Sequence, residues 1–157
     1  MKKTLLYSCV FALLAQTADA ASCASLSEKR SLEMRALQSE LMVAALACGK
    51  KPEYNQYVNL FASDLQWQGK QLRDYFQRLY GKQSDRALNQ FVTQMANQAS
   101  RLSLTLKSAE YCNQATQLFK KINTSLPWQV VDYARIQYAS WHSVQSCDAT
   151  QVIATAQ

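Results

Sequence analysis

Glycine and proline are scarce, with three and two among 157 residues, and histidine occurs once, at His142. Three glycines leave no material for a phosphate-binding loop. A single histidine excludes H-E-x-x-H chemistry, and neither G-x-S-x-G nor C-x-x-C occurs. No stretch alternates apolar and polar residues over the length of a strand, and there is no internal repeat or low-complexity run. The longest apolar run, Leu5 to Ala15, falls well short of the roughly 20 residues a membrane span requires. No motif specifies a reaction.

What is present begins with an export signal. Residues 1–20, MKKTLLYSCVFALLAQTADA, combine Lys2 and Lys3, the apolar run and a small-residue ADA site, which places cleavage after Ala20. Cys9 leaves with that peptide. An alternative is acylation at Cys23 after AASC, but Ala20 stands where such sites carry leucine and the apolar run ends too far upstream. The remaining 21–157 has the length of one domain. Without the leader's two lysines and Asp19, the 17 basic and 11 acidic residues leave a net charge of +5. The basic residues are scattered, as on a solvated surface, so nucleic acid is not an expected partner.

Between the few glycines and prolines, apolar residues recur at helical spacing. The periodicity predicts an all-α, up-and-down bundle of four to five helices, at about 26–48, 53–80, 85–106, 109–123 and 127–145. The first opens on SLSE, a capping box from Ser25 to Glu28, and runs its stripe through Met34, Leu37, Leu41, Ala44, Ala45 and Cys48 before Gly49 and Pro52. In the second, Tyr54, Val58, Phe61, Leu65, Leu72, Phe76 and Leu79 form the stripe, which passes Gly69, a mark of a kink or a close helix crossing. Leu88, Phe91, Val92, Met95, Ala99, Leu102 and Leu106 carry the third; Tyr111, Cys112, Ala115, Leu118, Phe119 and Ile122 the fourth. Pro127 opens the fifth, with Val131, Ala134, Tyr138 and Trp141 inward. The last ten residues read as an irregular tail.

Four cysteines remain after export: Cys23, Cys48, Cys112 and Cys147. An even count in an oxidising compartment implies two disulfides rather than a metal or a catalytic thiol. If three helices run up and down, the start of the fourth returns to the pole where the first ends, which pairs Cys48 with Cys112. Cys23 and Cys147 then pair by default, although a full-length fifth helix would carry Cys147 to the wrong pole.

The blocks RALQSELMVAALACG, YNQYVNLF, LRDYFQRLYG, ALNQFVTQMANQAS and YCNQATQLF resemble those of an uncharacterised family of small exported alphaproteobacterial helical proteins. The resemblance covers about Ser31 to Phe119 and includes Cys48 and Cys112. It implies export and a cysteine-stapled helical fold, and it carries over no catalytic residue.

Candidate chemistry is thin. His142 beside Trp141 has no motif partner and is expected at a surface or interface. Glu33 and Glu40, seven residues apart, share one helix face, with Asp64 on the next helix. Paired acids would suit glycosidic hydrolysis of a cell wall, but Arg30 and Arg35 make a salt-bridged surface the simpler expectation. Tyrosine and tryptophan exceed what one stripe buries. Tyr57 and Trp67, with Arg73 and Arg78, are the expected contact residues of a protein-binding surface. The expectation is an exported, periplasmic or secreted, non-enzymatic binding protein for an unknown protein or envelope component, with no metal and no cofactor. The alternatives are a cell-wall hydrolase, an envelope chaperone and a lipid or small-ligand carrier; the run Ala44, Ala45, Ala47 favours close packing over a carrier's cavity.

Overall fold

The computed structural model describes residues 23–147. The predicted export signal at 1–20, with Cys9, and the predicted irregular tail from 148 onward lie outside the described residues. Six α-helices follow one another: α1 (Leu26–Ala47), α2 (Lys51–Leu60), α3 (Ala62–Tyr80), α4 (Ser84–Ser103), α5 (Ser108–Asn123) and α6 (Pro127–Tyr138). Single 3-10 turns sit at Gly81–Gln83 and Ala139–Trp141. Among the described residues there is no β-strand, only an isolated bridge between Ala24 and Ser146. The chain is an all-α bundle closed by two disulfides, Cys48–Cys112 and Cys23–Cys147.

α1 begins and ends as its sequence dictates. The Ser25 N–H donates to Glu28 Oε2 at 2.7 Å and the Glu28 N–H donates back to Ser25 Oγ at 3.3 Å, so two otherwise orphaned donors are satisfied. At the other end Gly49 takes φ +67° and the Lys50 N–H reaches the Ala45 carbonyl at 2.9 Å, a Schellman closure. Between these ends the helix is buried on more than one stripe. Leu32, Ala36, Ser31, Ser39 and Glu33 are buried along with the expected Met34, Leu37, Leu41, Ala44 and Ala45, because α1 packs against all five other helices. It is the central helix of the bundle. Ser39 donates to the Arg35 carbonyl and Ser31 to that of Ser27, both at 2.9 Å, and Ser31 Oγ also lies 2.6 Å from the Gln68 amide, so these two buried hydroxyls are paired.

The helix expected over 53–80 is kinked into two. Phe61 leaves helical geometry at φ −110° and ψ 20° while its ring is buried against Tyr57, with centroids 5.5 Å apart. Hydrogen bonding continues across the kink, from the Phe61 N–H to the Tyr57 carbonyl at 3.1 Å and from the Leu65 N–H to the Phe61 carbonyl at 2.8 Å. Gly69 marks neither a kink nor a close crossing. α3 runs through it unbroken, and a Cβ placed there would meet only Arg73 Nη1, at 3.6 Å.

α5 is held at both ends by the region where α1 passes into α2. Cys112 near its start is bonded to Cys48, and Asn123 at its end donates to the Glu53 carbonyl at 3.0 Å. Both ends are therefore tied to the junction of α1 and α2, and the helix lies across that end of the bundle. α6 then returns along α1 toward the opposite end. The crosswise α5 removes one traverse, so the chain after α6 delivers Cys147 to the pole of Cys23. α6 is also shorter than 127–145: it ends at Tyr138, Val130 takes the buried position expected of Val131, and His142 is extended at φ −138° and ψ 151°.

A second, smaller core closes the Cys23 end, where Ala24, Leu32, Leu72, Tyr75 and Phe76 pack together. Over it, Arg78 makes a forked contact with both Glu28 carboxylate oxygens at 2.8 and 2.9 Å and donates to the Cys23 carbonyl at 3.0 Å. Partial burial pushes the Glu28 carboxyl upward, but the Ser25 hydrogen bonds and the Arg78 guanidinium outweigh it and hold the group below its ordinary value.

Candidate functional site

The residues expected to bind a partner do not come together. Tyr57 is 0% exposed and belongs to the main core, so its proposed surface role is corrected; its hydroxyl is buried and unpartnered, and burial holds it protonated far above the usual tyrosine range. The spacing Tyr54, Tyr57, Phe61 carried that signal, since it continues the apolar stripe at steps of three and four. Trp67 is exposed at 49% on α3. At 3.6 residues per turn Arg78, eleven residues on, falls on the same side three turns away, whereas Arg73 points elsewhere and folds over Gly69. Arg78 is engaged with Glu28 at the capping box.

The carboxylates divide as well. Glu33 is buried with Oε2 unpartnered; burial raises its pKa against the pull of Lys29, Arg135 and Arg30. Glu40 faces a different environment, a groove of about 780 Å³ bounded by α1, α4, α5, α6 and the 3-10 turn. The groove's lining includes no second carboxylate, so it lacks the acid pair that glycosidic hydrolysis needs.

The groove gathers side chains from four helices. Glu40 from α1 forms part of its floor, and the Tyr138 hydroxyl of α6 donates to Glu40 Oε2 at 2.6 Å. Burial raises the Glu40 pKa, and the Tyr138 hydrogen bond offsets that only in part. Tyr138 is itself fully buried, wedged between Tyr133, with centroids 6.2 Å apart, and Trp141, whose ring meets it edge-on at 5.0 Å and 87°. The 3-10 turn after α6 places Trp141 there. From α5, Tyr111 contributes a buried hydroxyl with no hydrogen-bond partner. Burial first, and the Glu40 charge second, raise the pKa values of Tyr111, Tyr133 and Tyr138, so all three stay donors. The rim is polar: Gln98 and Arg101 from α4, Gln114 from α5 and Gln137 from α6.

The groove's side chains offer a ligand one carboxyl group, three phenol hydroxyls, three amides and a guanidinium. Its lining includes no cysteine and no histidine; Cys48 and Cys112 are outside that lining and joined as a disulfide. His142 faces a separate groove of about 300 Å³ with both ring nitrogens buried and unpartnered; burial first, then Lys29, lowers its pKa. Among the described residues no three His, Cys, Asp or Glu side chains stand close enough to hold a metal ion. No described helix is long and apolar enough to cross a membrane. Sequence reasoning named Glu40 as half of an acid pair and missed Tyr111, Tyr133 and Tyr138 as its company; the Glu40–Tyr138 contact spans 98 residues of chain, a separation at which no local pattern operates. Comparison with protein-family models, with curated proteins and with solved structures finds no match.

Proposed function

We propose that this chain is an exported, non-enzymatic binding protein whose ligand or partner enters the groove over Glu40. The observation that carries the reading is the Glu40–Tyr138 pair: a carboxyl group withdrawn from solvent and fixed at 2.6 Å by a fully buried tyrosine, at the floor of an otherwise open groove. The single hydrogen bond offsets the cost of burying that carboxyl only in part, so its placement calls for a use. The volume falls in the range of small-molecule sites, and an aromatic floor with a polar rim is their usual composition. Export is supported by the leader-like N-terminus and is compatible with the two disulfides.

The test is the intact mass of protein recovered from the envelope of its native cell, under native and then denaturing conditions. A chain starting at Ala21 and four hydrogens short, carrying extra mass that disappears in a Trp141→Ala variant, is the expected result. A bare protein that also captures nothing through a photoreactive residue at Gln137 would sink the binding reading, and a chain retaining residues 1–20 would sink export.

A further inference from the structure

The geometry points to a saccharide as the ligand of this groove, an inference that rests on the binding reading above and specifies its chemistry. Charge is the first discriminator. A cationic ligand would be drawn to Glu40 and the aromatic rings, but Arg101 stands on the rim and Lys121 Nζ already lies over the Tyr133 ring, 4.3 Å from its centroid. An anionic ligand would find Arg101 but would have to approach Glu40, whose carboxyl is partly buried at the floor. A ligand of either sign meets a like charge at the groove, Arg101 on the rim or Glu40 at the floor, which favours a neutral one.

Hydrogen-bonding chemistry is the second discriminator. Gln98, Gln114 and Gln137 each present a carbonyl acceptor beside an amide donor. That pairing matches adjacent hydroxyl groups, which donate and accept from neighbouring carbons. A neutral apolar molecule would leave these rim groups to water and gain nothing from them, whereas a hydroxylated one pairs with them. The third element is an apolar face. Trp141 is only half-buried, and its indole is held by the edge-on contact with Tyr138, so part of a flat, rigid ring remains open. A pyranose offers the complement, with C–H groups on one face and hydroxyls around its edge. The Tyr111 hydroxyl, buried in the wall without a partner, supplies a further donor for a ligand that shifts the wall slightly. A groove of about 780 Å³ accommodates several linked rings better than one.

The experiment titrates the oxidised protein with maltotetraose, cellotetraose and a tetramer of N-acetylglucosamine, followed by saturation-transfer NMR and tryptophan fluorescence, with tetramethylammonium and inorganic phosphate as charged comparison probes. At least one tetrasaccharide is expected to bind. Its affinity should fall at least tenfold in Trp141→Ala and severalfold in Gln137→Ala, a rim substitution on an exposed residue, and stay unchanged in Trp67→Ala and in Trp128→Ala, whose indole is exposed on the first turn of α6 outside the groove. No transfer from any tetrasaccharide, or loss that follows Trp67 or Trp128 instead, overturns the saccharide assignment. Should tetramethylammonium or phosphate bind and lose affinity in Gln137→Ala, the ligand class is wrong while the groove remains a binding site. Failure of every probe, together with the bare mass and absent capture described above, removes both readings.

Discussion

The three glycines make opposite demands on the backbone, and alanine at each should separate them in sign. Gly69 lies inside α3 with helical geometry, and the Cβ of alanine would meet only the flexible end of Arg73, at an ordinary 3.6 Å. Alanine there removes the helical disadvantage of glycine and should stabilise the fold by about 1 kcal/mol. For a domain of this size that is a rise in Tm of about 3–5 °C. Gly49 and Gly81 have equally open surroundings but positive φ, +67° and +52°. Alanine at either should therefore destabilise by about 1–2 kcal/mol through the left-handed backbone alone. The assay is urea unfolding of the oxidised protein followed by far-ultraviolet circular dichroism, with thermal melts alongside. Gly69→Ala combined with Gly49→Ala should come out near the wild type or slightly below it, because the two sites share no neighbours in the bundle. A loss of stability in Gly69→Ala would refute the reasoning: it would mean that another helix approaches Gly69 closely and that the helix crossing implied by its place in the stripe is real.

Two further outcomes follow from the staples and the buried acids. Replacing Cys48 and Cys112 with alanine opens a loop spanning a separation of 64 residues and should lower stability by about 4 kcal/mol, while opening Cys23–Cys147, separation 124, should cost about 5 kcal/mol; urea midpoints with and without reductant measure both, and a loss under 1 kcal/mol in either pair would mean that the bridge constrains little of the unfolded chain. Glu33 is the cleaner of the two acids raised by burial from an ordinary 4.5, because its Oε2 has no partner. Its folded form holds the proton more tightly than the unfolded form, so its contribution is present below the ordinary value and is lost as pH rises through the raised one. Glu33→Gln should flatten that part of the pH profile and raise stability at neutral pH by on the order of 1 kcal/mol; an unchanged profile between pH 4.5 and 8, read by urea unfolding, would show that Glu33 is not desolvated.

How far the sequence carries can be argued from single residues. Local chemistry was legible: Ser25 and Glu28 announce the capping box, Gly49 and Pro52 the end of α1, and the even cysteine count the two bridges, because each signal is confined to a few neighbouring positions. Direction in space was not. The stripe of Tyr111, Ala115, Phe119 and Ile122 identifies the buried face of α5, but the same stripe serves a helix lying along the bundle or across its end. Tyr57 shows a different failure. Its place on the stripe favoured burial and its hydroxyl favoured solvent, and the ring area outweighed the hydroxyl. The groove over Glu40 had no local signature at all, since each of its walls comes from a different helix and only the return of α6 brings them together.

The pairing of Cys23 with Cys147, with Cα atoms 5.0 Å apart, together with the backbone bonds from Ala24 to Gln145 and from Cys147 to Ala24, makes the described chain a covalently closed ring. Tension applied between the chain entering at 23 and the chain leaving at 147 runs through two sulfur atoms and never reaches the helices. Once oxidised, the bundle is mechanically transparent: a machine that pulls on either end must either reduce that bond or draw a double thickness of chain through its pore.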